Sequence, residues 1–233
     1  HTTHTHNDST WKLFKRSHFT NYIKMKNRYN EKVAEILINI ESVKFSFDNP
    51  FTLTSGLKSP VYVDCRKIIS FVHERQTIIN YGIEYFKENN LDFDILAGGE
   101  TAGIPYSAFF SQLLKKPMIY IRKKPKGFGQ NQQIEGHFKE KQKTILIEDL
   151  ATDGGSKIIF IEAIRRAQLK ITDIFVIFYY DIFDFKKSSL SNYQVNLHSL
   201  CTWKDIISVI EKRNLYNQNE INNLKNFLSN PDN

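Results

Sequence analysis

The chain has 233 residues, of which 41% are hydrophobic, and this is enough to bury one substantial core with a smaller appendage. Its net charge of +7 indicates a polyanionic partner, but the basic residues are spread along the chain, so nucleic acid and a small phosphorylated substrate both stay open. No apolar run approaches the roughly 20 residues of a membrane span. The two cysteines, Cys65 and Cys201, form neither a disulfide framework nor a metal-ligand spacing, and this favours a reducing, cytoplasmic compartment.

Residues 1–26 are predicted to be a disordered leader or tag. They do not begin with methionine and are rich in Thr, His, Lys and Arg, so an over-extended start or a transit peptide also fits. The folded domain is predicted over residues 27–215, with a small hood formed mainly from residues 27–70. Residues 216–233 are expected to be a C-terminal helix and tail.

The amino-terminal part of the domain is predicted to be the hood. Apolar residues at helical spacing predict an amphipathic helix over residues 29–42. Two short β-type runs, 51–53 and 61–63, flank the turn-forming segment 54–60. These runs are too small to make a core, so they are expected to cover one. A helix over residues 73–90 follows.

From Phe93 onward, strands and helices alternate along the chain. Strands are predicted over residues 93–97, 117–122, 144–148 and 174–180, and helices from the 98–103 loop to 114 and over 156–167, 203–213 and 219–228. The strands are apolar on both faces, which is typical of a parallel sheet covered on two sides. The sequence therefore predicts an α/β fold with an open parallel sheet flanked by helices.

The segment from Thr144 to Ser156 has the composition of a sugar-phosphate site. Its apolar start is followed by two adjacent acids and a small-residue loop before a predicted helix. Backbone N–H groups of residues 152–156 would bind a phosphate, which the helix dipole also favours. Glu148 and Asp149 could accept hydrogen bonds from ribose hydroxyls or approach a divalent cation. The 98–103 loop would lie at the same edge, where open α/β sheets bind ligands.

Other nucleotide sites are disfavoured. No Walker A motif occurs, and Gly127-Phe128-Gly129 lacks the third glycine of a dinucleotide fingerprint. The same region forms a long polar segment, residues 122–136, with four cations at its base. A segment of this length is either a functional lid or disordered. A cationic lid would neutralise a multiply charged anion and exclude water, whereas sequence statistics alone favour a solvated basic loop.

Three segments together resemble the orotate phosphoribosyltransferases of the type I phosphoribosyltransferase family. Residues 145–156 resemble the phosphoribosyl diphosphate signature of that family. Residues 122–129, followed by Ile134-Glu135-Gly136, resemble the mobile catalytic loop of the orotate branch, and residues 51–64 resemble its amino-terminal substrate segment. The resemblance runs from about residue 30 to 210 and implies the type I fold with an amino-terminal hood.

The resemblance implies a reaction in which orotate and phosphoribosyl diphosphate give orotidine 5′-monophosphate and diphosphate in pyrimidine biosynthesis. The implied phosphoribosyl diphosphate contacts are Glu148, Asp149, Leu150, Ala151, Thr152, Asp153, Gly154, Gly155, Ser156, Arg122, Lys123, Lys126, Thr101 and Lys58. The acids would meet the ribose hydroxyls, residues 151–156 the 5′-phosphate, and the lid cations the diphosphate. The implied catalytic residues are Lys126, Arg122, Lys123 and Asp149, and the implied orotate contacts are Thr152, Tyr62 and Val63.

The resemblance also implies a cofactor and an assembly. Mg²⁺ would be held mainly by the substrate, with a contact to Asp149 through water left open. A homodimer is implied, because in the family the mobile loop reaches the neighbouring subunit's site. Neither nucleic acid nor a membrane is expected as a partner.

Several positions depart from the pattern of many family members. Thr54 and Ala102 stand where a basic residue is common, and Phe128 stands where a histidine is common. Residues 179–182 lack the arginine that often grips the orotate carboxylate. Lys58, Arg66 or a nearby lysine could replace it, and the sequence does not choose among them.

Two alternative functions stay open, one catalytic and one not. A phosphoribosyltransferase of the same fold could act on a purine base, although the lid motif and the Ile-Glu-Gly that follows argue against it. A regulatory or nucleic-acid-binding relative could keep the fold without the catalysis, which the intact acid pair and complete lid disfavour. His137 and His198 are expected to be structural or exposed, and Trp203 to anchor a C-terminal helix in the core.

Overall fold

The computed structural model describes residues 29–52, 58–127, 133–182 and 184–230. The predicted leader, residues 54–57 of the hood turn, and residues 128–132 of the lid lie outside these ranges. In the described part of the chain, the helices are α1 (29–39), α2 (Val72–Glu88), α3 (Gly103–Leu114), α4 (Ile158–Arg166), α5 (Trp203–Lys212) and α6 (Gln218–Ser229). The strands are β1 (Val43–Phe45), β2 (Phe51–Thr52), β3 (Lys58–Ser59), β4 (Val61–Val63), β5 (Ile95–Gly99), β6 (Met118–Ile121), β7 (Ile134–Glu135), β8 (Lys143–Ala151), β9 (Lys170–Tyr179) and β10 (Asn196–Thr202).

A six-stranded sheet organises the domain, in the order β10-β9-β8-β5-β6-β7. All neighbouring strands are parallel except β7, which runs antiparallel to β6. Helix α3 connects β5 to β6, and α4 connects β8 to β9, because parallel neighbours need crossover connections. The predicted α/β fold with an open parallel sheet flanked by helices is confirmed, except that the edge strand β7 is antiparallel.

Side-chain alternation along the strands divides the core into two clusters. On β8, Ile145 and Ile147 belong to the cluster that includes α2, α3, α5 and α6, whereas Leu146 belongs to the cluster with α4. Trp203, at the start of α5, is 2% exposed and packs edge-on against Phe178. The sheet is thus buried on both faces, as its apolar strands predict.

The hood is built from α1 and two short antiparallel strand pairs. β1 pairs with β4, with Val43 opposite Val63, and β2 pairs with β3. Polar contacts hold α1 against α5: Asn30 Nδ2 donates to Asp205 Oδ1 at 3.3 Å, and Lys212 Nζ lies 2.7 Å from Glu31 Oε1. This arrangement places the end of β4 over the carboxyl edge of the central sheet, beside β8.

Several elements differ from the sequence predictions, among them β7, β8 and β10. β8 continues past the two acids to Ala151, so the acids lie within the strand rather than at its end. The predicted lid contains β7, since residues 134–135 pair with β6. β10 was not predicted, because Asn196–Thr202 alternates polar and apolar residues irregularly at the edge of the sheet. No helix in the described residues is long and apolar enough to cross a membrane.

Candidate active site

A cavity of about 570 Å³ lies at the carboxyl ends of β5 and β8, between the sheet and the hood. It is lined by Val63, Asp64, Cys65, Arg66, Glu100, Thr101, Ala102, Lys123, Glu148, Asp149, Leu150, Thr152, Ser156, Lys157, Ile159 and Phe160. The lining therefore contains four acidic and three basic side chains. They come from the hood, the ends of β5 and β8, the base of the lid and the segment before α4.

The two acids of β8 have different environments. Glu148 is buried, whereas Asp149 is half-buried. Burial raises the pKa of both carboxyls, and the positive charge of Lys157 opposes the rise in each pKa. The structure thus places the predicted pair together in the cavity wall, with Asp149 the more accessible member.

Glu148 is held between a lysine and two glycines. Its Oε2 accepts a hydrogen bond from Lys157 Nζ at 2.9 Å. A Cβ built on Gly99 would lie 1.7 Å from Glu148 Oε1, and one built on Gly103 would lie 2.7 Å from it. Gly99 and Gly103 therefore make room for the Glu148 carboxylate.

The predicted phosphate-binding loop follows β8 directly. Gly154 adopts a φ of 82°, a conformation that favours glycine. A single 3₁₀ turn, Gly155–Lys157, then leads into α4, so the helix begins two residues later than Ser156. Asp153 Oδ1 accepts a hydrogen bond from the Gly155 N–H at 3.1 Å. A carboxylate therefore occupies one of the N–H groups that the sequence assigns to a phosphate.

The base of the lid is fastened to the end of β5. Glu100 Oε2 accepts a hydrogen bond from the Lys123 N–H at 2.7 Å, and the Glu100 N–H donates to Ile121 O at 2.8 Å. This places Lys123 in the cavity lining. Arg122 Nη1 lies 3.6 Å from Glu135 Oε1 on β7 and outside the lining.

A second set of hydrogen bonds holds the two ends of the lid together. The Arg122 N–H donates to Gln133 O at 2.8 Å, and Gln133 Nε2 donates back to Arg122 O at 2.9 Å. Arg166, on α4, donates to Gln133 Oε1 at 2.8 Å. The described ends of the lid are thus anchored to the sheet and to α4.

The hood contributes a charged pair to the cavity. Arg66 Nε donates to Asp64 Oδ1 at 2.9 Å, and this pairing raises the pKa of Arg66. Val63 lines the cavity, whereas Tyr62 is 37% exposed, packs against Phe51 and lies outside the lining. Lys58 is exposed, and its Nζ donates to Thr52 Oγ1 at 2.6 Å.

The structure brings together only part of the predicted site. Of the predicted residues, Glu148, Asp149, Leu150, Thr152, Ser156, Lys123, Thr101 and Val63 line the cavity, and Ala151, Asp153, Gly154, Gly155, Arg122, Lys126, Lys58 and Tyr62 lie outside its lining. Lys126 is exposed on the described part of the lid. Sequence reasoning missed Glu100, which lies inside the 98–103 loop, and Lys157, which directly follows the segment from Thr144 to Ser156.

Curated proteins of known family resemble this chain over most of its length. It is 44% identical over 200 residues to the orotate phosphoribosyltransferase of Roseobacter denitrificans, covering 85% of this chain and 89% of the relative. It is 42% identical over 203 residues to the orotate phosphoribosyltransferase of Rhizobium rhizogenes, covering 86% and 88%. No protein-family model matches the chain.

Solved structures have the same fold. The orotate phosphoribosyltransferase of Aeropyrum pernix superposes with a TM-score of 0.67 at 25% identity, covering 79% of this chain and 99% of that one. The Leishmania donovani UMP synthase gives a TM-score of 0.69 at 26% identity, covering 85% of this chain and 42% of that one. An adenine phosphoribosyltransferase from Thermoanaerobacter pseudethanolicus shares the fold at a TM-score of 0.52 and 16% identity. Together with the identity to the curated relatives, these likenesses show that the chain belongs to the orotate phosphoribosyltransferase family.

Proposed function

We propose that this chain is a pentosyltransferase that moves the 5-phosphoribosyl group from phosphoribosyl diphosphate to orotate, giving orotidine 5′-monophosphate and diphosphate. The observation that carries the proposal is the meeting, in one cavity, of the β8 acids, the loop before α4 and Lys123 from the lid. The family of the curated relatives supports the same reaction. The product places the reaction in pyrimidine nucleotide biosynthesis.

The charges of the cavity suit this chemistry. Breaking the bond between ribose C1 and the diphosphate leaves positive charge on the sugar and builds negative charge on the leaving group. Lys123, Arg122 and Lys126 would stabilise the leaving diphosphate, and a closed lid would keep water away from the sugar. Asp149 would accept hydrogen bonds from the ribose hydroxyls, next to the developing positive charge.

The 5′-phosphate would bind at the loop between β8 and α4. The N–H groups of residues 152–156 and the hydroxyls of Thr152 and Ser156 are the donors that this loop offers. Thr101, two residues after β5, also lines the cavity and would meet the diphosphate. Lys58 is assigned to the same substrate only by its position in the family motif.

Mg²⁺ fits the donor set of this cavity. The described residues contain no group of three or more His, Cys, Asp or Glu that could hold a metal ion by itself. Mg²⁺ prefers oxygen ligands and is often held by one or two carboxylates together with substrate phosphates. Asp149, through water, and the diphosphate oxygens would hold it here, and the bound ion would neutralise charge on the leaving group.

Orotate would bind on the hood side of the cavity. Val63 and Thr152 line it, and Tyr62 is assigned to the base by the family motif. Arg66 is a cation in the same wall, so we propose it as the partner of the orotate carboxylate. The fold does not distinguish orotate from a purine, since an adenine phosphoribosyltransferase shares it.

We also propose a homodimer with shared active sites in a reducing cytoplasm. The resemblance of the lid to the mobile loop of the family supports the assembly, because in the family this loop reaches the neighbouring subunit's site. Both cysteines are buried thiols, which suits a reducing compartment. Sedimentation at micromolar concentration would measure the assembly, and a monomer at every concentration would refute it.

A transferase assay tests the function directly. The protein is incubated with phosphoribosyl diphosphate, Mg²⁺ and one base at a time, and loss of orotate absorbance is followed. Consumption of orotate, with hypoxanthine and adenine unchanged, is expected. Turnover of a purine without orotate would support the purine alternative, and no turnover of any base would support a non-catalytic relative.

A further inference from the structure

Glu100 is an acidic residue in the wall of the cavity that is proposed to bind a diphosphate. It directly follows β5 and lines the cavity together with Thr101 and Lys123. A carboxylate repels a multiply charged anion, so its presence here would weaken binding of the substrate. The reaction proposed for the site gives Glu100 no role, and its contacts indicate what it does instead.

The Glu100 carboxylate takes the place of a main-chain carbonyl in the sheet. β5 and β6 are parallel, and the Glu100 N–H donates to Ile121 O at 2.8 Å. With the even spacing of a parallel ladder, the next bond would run from the Lys123 N–H to the main-chain carbonyl of Glu100. Instead, Glu100 Oε2 accepts this hydrogen bond at 2.7 Å. The side chain therefore extends the pairing of β6 by two residues, into the base of the lid.

Hydrogen bonds hold the base of the lid from both sides. The Arg122 N–H donates to Gln133 O at 2.8 Å, next to β7, whereas the N–H of Lys123 faces Glu100 on the side of β5. No other hydrogen bond to a described residue holds Lys123 on that side. The Lys123 side chain is exposed and lines the cavity. Its place at the cavity therefore depends on Glu100.

We propose that Glu100 is a positioning residue that holds the main chain of Lys123 beside β5 and thereby places the Lys123 ammonium against the leaving diphosphate. This inference rests on the proposed phosphoribosyl diphosphate site and deepens it. Glu100 acts through an acceptor oxygen rather than through its charge. A glutamine of the same length offers the same acceptor, so it should keep the contact.

Four variants separate the acceptor, the charge and the lysine. Glu100→Ala removes the acceptor and the charge, whereas Glu100→Gln removes only the charge. Lys123→Ala removes the ammonium and keeps the main-chain N–H. Glu162→Ala is the matched control, because Glu162 is exposed on α4, lies outside the cavity lining and accepts one hydrogen bond, from the Tyr193 hydroxyl at 2.8 Å.

The kinetic constants test whether Glu100 acts through Lys123. We expect Glu100→Ala to lower kcat about fivefold or more without raising the KM for phosphoribosyl diphosphate, because a displaced cation no longer meets the leaving group. Glu100→Gln and Glu162→Ala should stay within about twofold of wild type. Adding Glu100→Ala to Lys123→Ala should change kcat less than about twofold, since no ammonium is left to position.

Limited digestion with trypsin reports on the contact without any substrate. The Lys123–Lys124 bond should be cleaved about threefold faster or more in Glu100→Ala, because the lid base opens locally more often. Glu100→Gln should be cleaved at the wild-type rate. Unfolding midpoints close to that of wild type would show that the effect is local. A wild-type protein that consumes no orotate would refute the proposed function, and the digestion would still test the contact.

Three results would overturn the inference. If Glu100→Gln is as impaired as Glu100→Ala, the charge matters, and a higher Mg²⁺ requirement of Glu100→Gln would assign that charge to the metal. If Glu100→Ala keeps the wild-type kcat, Lys123 does not depend on Glu100. If the losses from Glu100→Ala and Lys123→Ala multiply in the double variant, Glu100 acts on the substrate independently of Lys123.

Discussion

Gly99→Ala should destabilise the protein because the Glu148 carboxylate occupies the space that the new methyl group needs. The added Cβ would lie 1.7 Å from Glu148 Oε1 and 2.7 Å from Phe160 Cε2. Real Cβ atoms do not approach within 3.0 Å, so the carboxylate must move by about 1.3 Å or more. Its hydrogen bond to Lys157 is 2.9 Å long, so a movement of this size would disrupt the ion pair.

The expected loss is set by the buried ion pair. Disrupting such a pair costs about 3–5 kcal/mol, and a change of this size lowers the unfolding midpoint of a protein of this length by roughly 6–20 °C. Urea unfolding followed by far-UV circular dichroism measures the free energy of unfolding directly. Gly155→Ala is the matched control, since its Cβ would meet nothing closer than 3.2 Å, and we expect its loss to stay below about 1 kcal/mol.

A second substitution tests the cause of the loss. Combining Gly99→Ala with Glu148→Asp withdraws the carboxylate by one methylene, so part of the lost stability should return, although the contact with Phe160 persists. A Gly99→Ala protein that unfolds within about 1 kcal/mol of wild type would refute the close approach of Gly99 and Glu148.

Three further predictions concern the lid, the phosphate loop and the edge of the sheet. Lys126→Ala should lower the rate of orotate consumption on the order of 10²–10³-fold. Near-normal turnover by a folded Lys126→Ala protein would refute the role of Lys126 in stabilising the leaving diphosphate. Asp153→Ala should lower the KM for phosphoribosyl diphosphate about fivefold without changing kcat, because a like charge near a phosphate costs about 1 kcal/mol; an unchanged or higher KM would contradict this. His198 Nε2 donates a hydrogen bond to Asp173 Oδ1 at 2.7 Å, which holds the pKa of Asp173 below its ordinary range. The ionised Asp173 therefore stabilises the folded protein above the pKa that this carboxyl has in the unfolded chain. This stabilisation is lost as the pH falls through the lower pKa of the folded state. Wild type should therefore lose more stability than Asp173→Asn between about pH 5 and pH 2, and parallel curves from urea unfolding would refute the assignment.

Local patterns in the sequence were sufficient to predict the fold class, and they also predict a phosphate site. The apolar runs around Ile145 and Ile174 predict strands buried on both faces, because no other position in a small α/β domain accommodates them. Acids followed by Gly154 and Gly155 predict a phosphate loop, since backbone N–H groups and small residues are what an anion needs there. Such features depend on neighbours in sequence. The six-stranded sheet confirms the predicted strands, and the phosphate loop stays a prediction.

The tertiary structure decided the partners of each charge. No spacing in the sequence brings Gly99 against Glu148, or Glu100 against the Lys123 N–H, because these contacts join different strands and connections. Likewise β10 is a strand only because β9 supplies its backbone hydrogen bonds at the sheet edge. The sequence by itself determined a parallel sheet and predicts an acid pair followed by a phosphate loop. Only the packing of β5, β8 and α4 decided that Lys157 pairs with Glu148, whereas Asp149 is the more exposed acid in the cavity wall. Burial makes that difference, since an ionised group inside the protein must find its counter-ion across the fold rather than along the chain.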